Sequence, residues 1–151
     1  VITHTTSVSI YSLFIGPVAD RWGNRMTLRV LILGAAVAPA YAVALPYAAG
    51  GLAPELFWVV FIPLGLTPIV PTILFNYTLE LCEPERHPRY LSIVSLAMMP
   101  SYLLSPAIGK LVDVVGFANV AVGTCGLMLF CGGLTFWLAE PRHLAHRRGR
   151  A

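Results

Sequence analysis

Long uncharged stretches alternate with short charged connections along this chain. Five stretches contain no Asp, Glu, Lys or Arg, and each has about 20 residues, the number an α-helix needs to cross a hydrocarbon core about 30 Å thick. A soluble helix carries charged residues along one face, so these stretches are not typical of a soluble bundle. The pattern predicts five membrane-spanning helices. The stretches are Val1–Ala19, Val30–Pro54, Leu56–Leu79, Tyr90–Gly109 and Val114–Ala139.

These spans define an all-α fold class and a polytopic membrane protein. Glycine, proline and charged residues mark where each helix is expected to begin and end. A transmembrane bundle is expected over residues 1–139, and residues 140–151 are expected to form a basic cytoplasmic tail. The predicted helices cover about residues 1–18, 26–47, 56–79, 91–112 and 117–138.

The amino-acid composition indicates lipid rather than water around these helices. Of the 151 residues, 57% are hydrophobic and 11% are charged, which is too little charge to cover the surface of a soluble domain. The formal net charge of +3 raises the alternative of nucleic-acid binding. Membrane topology accounts for the basic residues better, so no nucleic-acid partner is expected.

The basic residues also predict the orientation of the helices. Five spans place Gly16–Arg29, Glu80–Arg89 and Glu140–Ala151 on one side of the membrane and Lys110 on the other. Short connections rich in Lys and Arg stay in the cytoplasm, so the first connection and the C-terminus are expected there. The bases on that side are Arg21, Arg25, Arg29, Arg86, Arg89, Arg142, Arg147, Arg148 and Arg150.

The sequence offers no pattern typical of an enzyme. It contains no glycine-rich nucleotide loop and no nucleophile with an adjacent base. The three cysteines, Cys82, Cys125 and Cys131, have no metal-ligand spacing and fit no disulfide framework. We therefore expect no enzymatic activity, no cofactor and no metal.

The connection between the first two spans reads G-P-V-A-D-R-W-G-N-R, from Gly16 to Arg25. Its spacing, G-x-x-x-D-R-x-G-x-R, resembles the loop motif of the major facilitator superfamily of secondary transporters. In that family the motif joins helices two and three and recurs more loosely between helices eight and nine. The alternative is a basic cytoplasmic turn of an unrelated membrane protein. Later in the chain, Gly109-x-x-x-Asp113-x-x-Gly116 repeats part of the same spacing.

One motif followed by four helices fits two places in a twelve-helix facilitator, helices two to six or helices eight to twelve. The segment from Asn76 to Tyr90 resembles the join between helices ten and eleven in many bacterial members. The run P-A-I-G-K-L-V-D-V-V-G-F, from Pro106, is similar to the end of helix eleven. The chain also ends in a basic tail soon after its last span. These features favour the C-terminal portion, helices eight to twelve, which is most of one six-helix half.

The resemblance implies a conformational latch in the motif loop. In the family this network holds the two halves together on the cytoplasmic side and biases the transporter toward its outward-open state. Asp20 can interact with the positive end of a neighbouring helix, for about 0.3–1 kcal/mol when exposed. Asn24 departs from the usual basic residue, and the alternative is a turn that only fixes topology. The candidate latch residues are Gly16, Asp20, Arg21, Gly23 and Arg25.

Polar side chains inside the spans are candidates for a substrate cavity. Those separated by three or four residues share one helix face, as on the first span and in the second half of the third. Such hydroxyls also bond to their own preceding turn or to a neighbouring helix, which is the structural alternative. The candidates are His4, Ser7, Tyr11, Thr72, Asn76, Ser95 and Tyr102.

The resemblance implies a fragment of a secondary active transporter that moves a small solute by alternating access between two states. The expected partners are the lipid bilayer, a small-molecule substrate and the remaining helices of the same transporter. The expected location is the plasma membrane, a bacterial inner membrane. A non-transporting membrane interaction protein and an inactive truncated product are the alternatives. No span carries a charged residue near its middle, so ion coupling is not assigned to these helices.

Overall fold

A computed structural model gives the structure of residues 2–138, which are entirely helices and tight turns, with no strand in that range. The predicted tail at residues 140–151 lies outside the described residues. The helices are α1 (Ile2–Trp22), α2 (Asn24–Ala35), α3 (Val37–Ala49), α4 (Ala53–Leu56), α5 (Phe61–Leu64), α6 (Val70–Leu81), α7 (His87–Leu103), α8 (Ser105–Val115) and α9 (Phe117–Leu134). Short 3₁₀ turns join them at Gly50–Leu52, Phe57–Val60, Thr67–Ile69, Pro84–Arg86 and Thr135–Trp137.

Several of these helices run on into one another. Ala36 keeps helical backbone angles (φ −63°, ψ −20°) between α2 and α3, and Leu104 does the same between α7 and α8. Prolines interrupt the segment from α4 to α6, because each removes a backbone N–H donor from the helix ladder. Helical hydrogen bonding continues at Gly65, whose N–H donates to the carbonyls of Phe61 and Ile62, at 3.2 and 3.1 Å.

The chain reverses direction near Gly50, whose φ of 51° lies in the left-handed region that glycine adopts easily. After this reversal, α3 packs against Phe57–Val60 and α5, and α2 packs against α6. The α2–α3 segment and the α4–α6 segment therefore form an antiparallel pair.

Two further reversals use a single glycine each. Gly23 separates α1 from α2 at φ 86°, and Gly116 separates α8 from α9 at φ 90°. Each glycine donates its N–H to the carbonyl four residues earlier, Ala19 at 2.8 Å and Val112 at 2.9 Å. The two partly matching motifs thus form the same turn. Because the first turn is this short, α1 continues through the charged residues that the sequence analysis assigns to a loop.

The core surrounds α2. Leu28 and Leu31 are buried with Ala19 of α1 and with Ile69 and Ile73 on the α6 side. A second cluster, formed by Ala38, Ala42 and Val60, continues this packing along α3. By contrast, α7 and α8 contain no buried residue, although they contact α6 and α9. This pair of helices is the least covered part of the described structure.

Helices α1 and α5 cross closely at Gly65. A Cβ added to Gly65 would lie 2.7 Å from the Cβ of Ser7 and 3.1 Å from the backbone nitrogen of Val8. Ser7 is correspondingly buried, with 8% of its surface exposed. Small residues at both positions allow the two backbones to approach, as is usual between helices in lipid.

Three helical segments among residues 2–138 are long and apolar enough, by length and composition, to cross a membrane: Asn24–Leu81, Pro84–Val115 and Phe117–Trp137. This number does not confirm the five predicted spans. The first segment has 58 residues and contains the reversal at Gly50. Helix α1 is not among the three, because its many hydroxyl groups and the charges in its last turn lower its hydropathy.

The close crossing at Gly65 predicts a specific loss of stability. Gly65→Ala should lower the free energy of unfolding by about 1–3 kcal/mol, because the added methyl group meets backbone as well as side-chain atoms. Gly123→Ala in α9 is the matched control, since its added Cβ meets nothing within 4 Å. Detergent-solubilised protein would be unfolded with increasing SDS and followed by circular dichroism. Equal effects of the two substitutions would contradict the crossing.

Candidate functional site

Three helix ends meet around the motif loop. The Asn24 side chain, at the start of α2, donates from Nδ2 to Oε1 of Glu80 in the last turn of α6, at 2.9 Å. Arg29, one turn further along α2, donates from Nε to Oγ1 of Thr135 at the end of α9, at 3.2 Å. These contacts place residues 19–29, 79–86 and 135–137 at one end of the bundle, which we call the motif end.

The arginines of the described residues gather at the motif end. Lys110 lies on α8 near the opposite end, close to the turn at Gly116. The arginines and Lys110 therefore lie at opposite ends of the bundle, as the sequence predicts. Among residues 2–138, the bases of the motif end and of the first turn of α7 beside it are Arg21, Arg25, Arg29, Arg86 and Arg89.

The latch candidates occupy different positions around the first turn. Asp20 and Arg21 are exposed in the last turn of α1, and Gly23 forms the reversal itself. A carboxylate is unfavourable at the C-terminal end of its own helix but favourable near the N-terminus of the next, which begins at Asn24. Gly16 lies inside α1, and an added Cβ there would meet nothing within 4 Å among the described residues. Packing among residues 2–138 therefore does not require glycine at that position.

The last base of the motif reaches a different helix. Arg25 donates from one terminal nitrogen to the backbone carbonyl of Phe136, at 3.0 Å. Arg29, four residues later on the same face of α2, donates to the carbonyl of Thr135 at 3.2 Å and stacks on the Phe136 ring at 3.8 Å from its centroid. Carbonyls at a helix C-terminus have few partners within the helix, so these arginines cap the 3₁₀ turn Thr135–Trp137 that ends α9. We call these contacts the arginine cap.

A groove runs between α1 and α6. One part, about 250 Å³ in volume, is lined by Ser12, Thr72 and Asn76. Ser12 also donates to the carbonyl of Val8 at 2.8 Å, so its hydroxyl oxygen can still accept a hydrogen bond. Two of the predicted cavity residues, Thr72 and Asn76, are thus brought together, and Ser12 is a third polar residue that the sequence analysis did not select.

The groove continues to the motif end. Its second part, about 300 Å³ in volume, is lined by Asp20, Asn24 and Glu80. The two parts share Asn76 and the α1 residue Gly16, so they form one continuous channel along the bundle surface. We call this channel the polar groove. Most of its lining around Thr72 is apolar, whereas polar and apolar side chains contribute about equally at the motif end.

The other cavity candidates do not line the polar groove. Ser7 is buried at the crossing with α5, and Tyr11 packs against the core cluster. His4 is half-buried near the start of α1. Ser95 lines a shallow groove along α7, and Tyr102 is 72% exposed on the same helix. The structure therefore divides the seven candidates into three groups. Two line the polar groove, three lie on α1 away from it, and two lie on the exposed surface of α7.

Sequence reasoning missed two features of this site. Glu80 belongs to the segment that resembles a family join, but its contact with Asn24 depends on the position of α6, which the sequence does not give. From the sequence, Arg29 was used only to predict which side of the membrane its connection lies on. Its spacing of four residues from Arg25 was the available signal, because it places both guanidinium groups on one helix face.

The contact between Asn24 and Glu80 predicts an energetic coupling. In a double-mutant cycle with Asn24→Ala and Glu80→Ala, we expect a coupling free energy of about 0.5–1.5 kcal/mol, because each single variant already removes the hydrogen bond. The free energy of unfolding in detergent would be measured for all four proteins. The control cycle pairs Asn24→Ala with Glu83→Ala, whose carboxylate lies beside Arg86 instead, at 3.8 Å. Additive effects in the first cycle would refute the coupling.

The comparison with known families agrees with the motif. The family model of the Major Facilitator Superfamily matches residues 2–151. No curated protein and no solved structure matches the chain. The match confirms the resemblance at the level of the superfamily, whose members are transporters, and it agrees with the apolar helical segments in indicating a membrane-embedded protein of the major facilitator type. The chain belongs to the Major Facilitator Superfamily.

Proposed function

We propose that this chain is part of a secondary active transporter that moves a small solute by alternating access. The observation that carries the proposal is the polar groove, which begins at Thr72 and ends among Asp20, Asn24 and Glu80. A membrane helix exposes such groups only to protein or water. A groove that contains polar side chains and ends at the motif of a transporter family supports a role in solute transport.

The uncovered helices α7 and α8 support the proposal that further helices of the same transporter complete the site. They belong to an apolar segment of 32 residues, none of them buried inside the described structure. Ser95 and Tyr102 lie on this surface and would face a shared cavity once it is covered. Alone, the described helices leave the polar groove without a second wall, so we expect no transport by this stretch in isolation.

We propose five crossings, corresponding to helices eight to twelve of the family. The reversal at Gly50 divides the longest apolar segment, Asn24–Leu81, into two antiparallel crossings. Helix α1, with 21 residues, packs alongside them and is long enough to span at about 1.5 Å per residue. The α7–α8 segment and α9 supply the remaining two.

We propose that the motif end is the gate. Gly23 lets α1 and α2 meet closely, Asp20 lies at the groove mouth, and Arg25 ties α2 to the end of α9. Asp20, with Arg21 and Arg25, would latch this end against the other half and favour the outward-open state. Alternating access needs two states separated by a few kcal/mol, and exposed contacts at a helix end supply energies of this size.

The gate proposal predicts that access to the groove depends on Asp20. With Cys82, Cys125 and Cys131 replaced by alanine in the full transporter, a cysteine at Asn76 should react with a membrane-impermeant maleimide added from the motif side. Asp20→Asn should raise this labelling rate about twofold to fivefold, because losing about 0.3–1 kcal/mol of latch energy populates the inward-open state.

The matched control is a cysteine at Val43, which lines an apolar groove between α3 and α9 and should stay unlabelled in lipid. The same Asp20→Asn protein should insert normally and transport more slowly. If Asp20→Asn changes neither the labelling rate at position 76 nor solute uptake, the gate proposal is contradicted. That result would favour a membrane protein that uses the exposed α7–α8 surface for interaction without transport.

We propose a plasma membrane location, a bacterial inner membrane, with the motif loop and the C-terminus in the cytoplasm. In the cysteine-free protein, Glu55→Cys and Glu85→Cys are a matched pair, since both glutamates are exposed and lie at opposite ends of the bundle. Intact cells treated with an impermeant maleimide should label position 55 and spare position 85, because arginine-rich connections are retained inside. The reverse pattern would invert the topology.

A further inference from the structure

The α9 side of α2 carries a guanidinium with only neutral partners among residues 2–138. Arg29 contacts the hydroxyl and carbonyl oxygens of Thr135 and the ring of Phe136. Its remaining terminal nitrogen, Nη1, meets only the sulfur of Met26, at 3.9 Å. A thioether is a weak acceptor, so this edge of the guanidinium retains donors for an anion.

Aromatic residues mark the depth of this guanidinium in the membrane. Trp137, directly after the arginine cap, is 87% exposed, and Trp22 and Phe136 are also exposed at the motif end. Exposed tryptophans at a helix end are typical of the headgroup level of a bilayer. At this depth Arg29 would reach the phosphates of the phospholipids.

An apolar groove lies further along the same seam, between α3 and α9. It has a volume of about 420 Å³ and is lined by Ala40, Val43 and Ala44 on one side and Val122, Gly126 and Leu129 on the other. Small residues on both helices create it. An added Cβ on Gly126 would meet nothing within 4 Å, so the glycine leaves this space empty of protein atoms. The volume lies within the range of ligand pockets, about 300–1,000 Å³.

The distance from the guanidinium to the groove is close to the depth of one bilayer leaflet. Ala40 follows Arg29 by about 11 residues, or about 16 Å along the helix axis. One leaflet of a hydrocarbon core about 30 Å thick has nearly this depth. Between them, Leu33 packs onto Gly132 and closes the seam, so a long ligand would lie over its outer surface.

From these features we infer that the α2–α3/α9 seam binds an anionic phospholipid of the leaflet on the motif side. Its phosphate accepts hydrogen bonds from Arg29, and one acyl chain fills the groove at Val43 and Gly126. Charge complementarity selects this occupant, because basic pockets between membrane helices bind acidic headgroups. The inference needs only a membrane-embedded chain and is independent of transport.

The test measures lipid binding to the purified, delipidated chain in detergent by native mass spectrometry. Phosphatidylglycerol and phosphatidylcholine with identical acyl chains are the probes, and phosphatidylglycerol should bind more tightly. Arg29→Gln should weaken phosphatidylglycerol binding about fivefold, since one arginine near the surface contributes about 1 kcal/mol. Gly126→Leu, which fills the groove, should weaken the binding of both lipids.

Matched controls separate the site from general charge and packing. Arg86→Gln removes one positive charge at the same end of the bundle, away from the seam, and should leave binding unchanged. Gly123→Leu makes the same change as Gly126→Leu on the same helix, outside the groove, into equally open space. Circular dichroism would verify that each variant is folded.

Three outcomes would overturn the inference: equal affinity for the two lipids, equal effects of Arg29→Gln and Arg86→Gln, or equal effects of the two leucine substitutions. Displacement of phosphatidylglycerol by millimolar glycerol phosphate would also count against it, because it would identify a soluble phosphate as the ligand. If Arg29→Gln does not fold without its contacts to Thr135, the leucine pair and the comparison of the two lipids still decide.

Discussion

The need to satisfy every backbone polar group inside lipid governs this structure. Within residues 2–138 the chain is helical almost without interruption, because only a helix bonds its own N–H and C=O groups where water is absent. Three of the interruptions keep this rule. Gly23 and Gly116 still donate to the carbonyl four residues back, and Gly65 divides its N–H between two carbonyls beside the prolines. At these three glycines the chain bends without losing helical hydrogen bonds.

The start of α2 connects the two sides of the bundle. Asn24 and Arg25 are neighbours in sequence but contact opposite partners, Glu80 of α6 and the carbonyl of Phe136 beyond α9. Since α2 is also anchored in the core by Leu28 and Leu31, a tilt of its first turn would move the mouth of the polar groove and the arginine cap together. The apolar seam with α9 lies on the same side as that cap. A movement of the start of α2 would thus change both solute access to the groove and the contact with lipid.

Much of the fold class could be predicted from the sequence, because the absence of charge over stretches of about 20 residues has few physical explanations. Helix ends were less predictable. Asp20 and Arg21 indicate a loop when charge is taken to end a helix, yet at headgroup depth a helix continues into water without penalty. The structure accordingly extends α1 to Trp22.

The candidate site was predictable only where local spacing decides the geometry. Thr72 and Asn76, four residues apart, do share a groove. Ser7 satisfied the same spacing rule but is buried at Gly65, because the position of α5 determines which side of α1 is covered. The cap formed by Arg29 depends on where α9 ends, more than 100 residues later in the chain, and no local pattern reports that distance.

The two glycine turns provide an internal control for the role of the motif. Gly23 and Gly116 have almost identical backbone angles, φ 86° with ψ 151° and φ 90° with ψ 149°, and each follows an aspartate by three residues. Only the first turn is followed by polar residues, Asn24 and Arg25, whereas Phe117 and Ala118 follow the second. The glycine and its helical hydrogen bond therefore suffice to make the turn. The arginines that follow Gly23 must be explained by what they contact, and Arg25 and Arg29 contact the end of another helix.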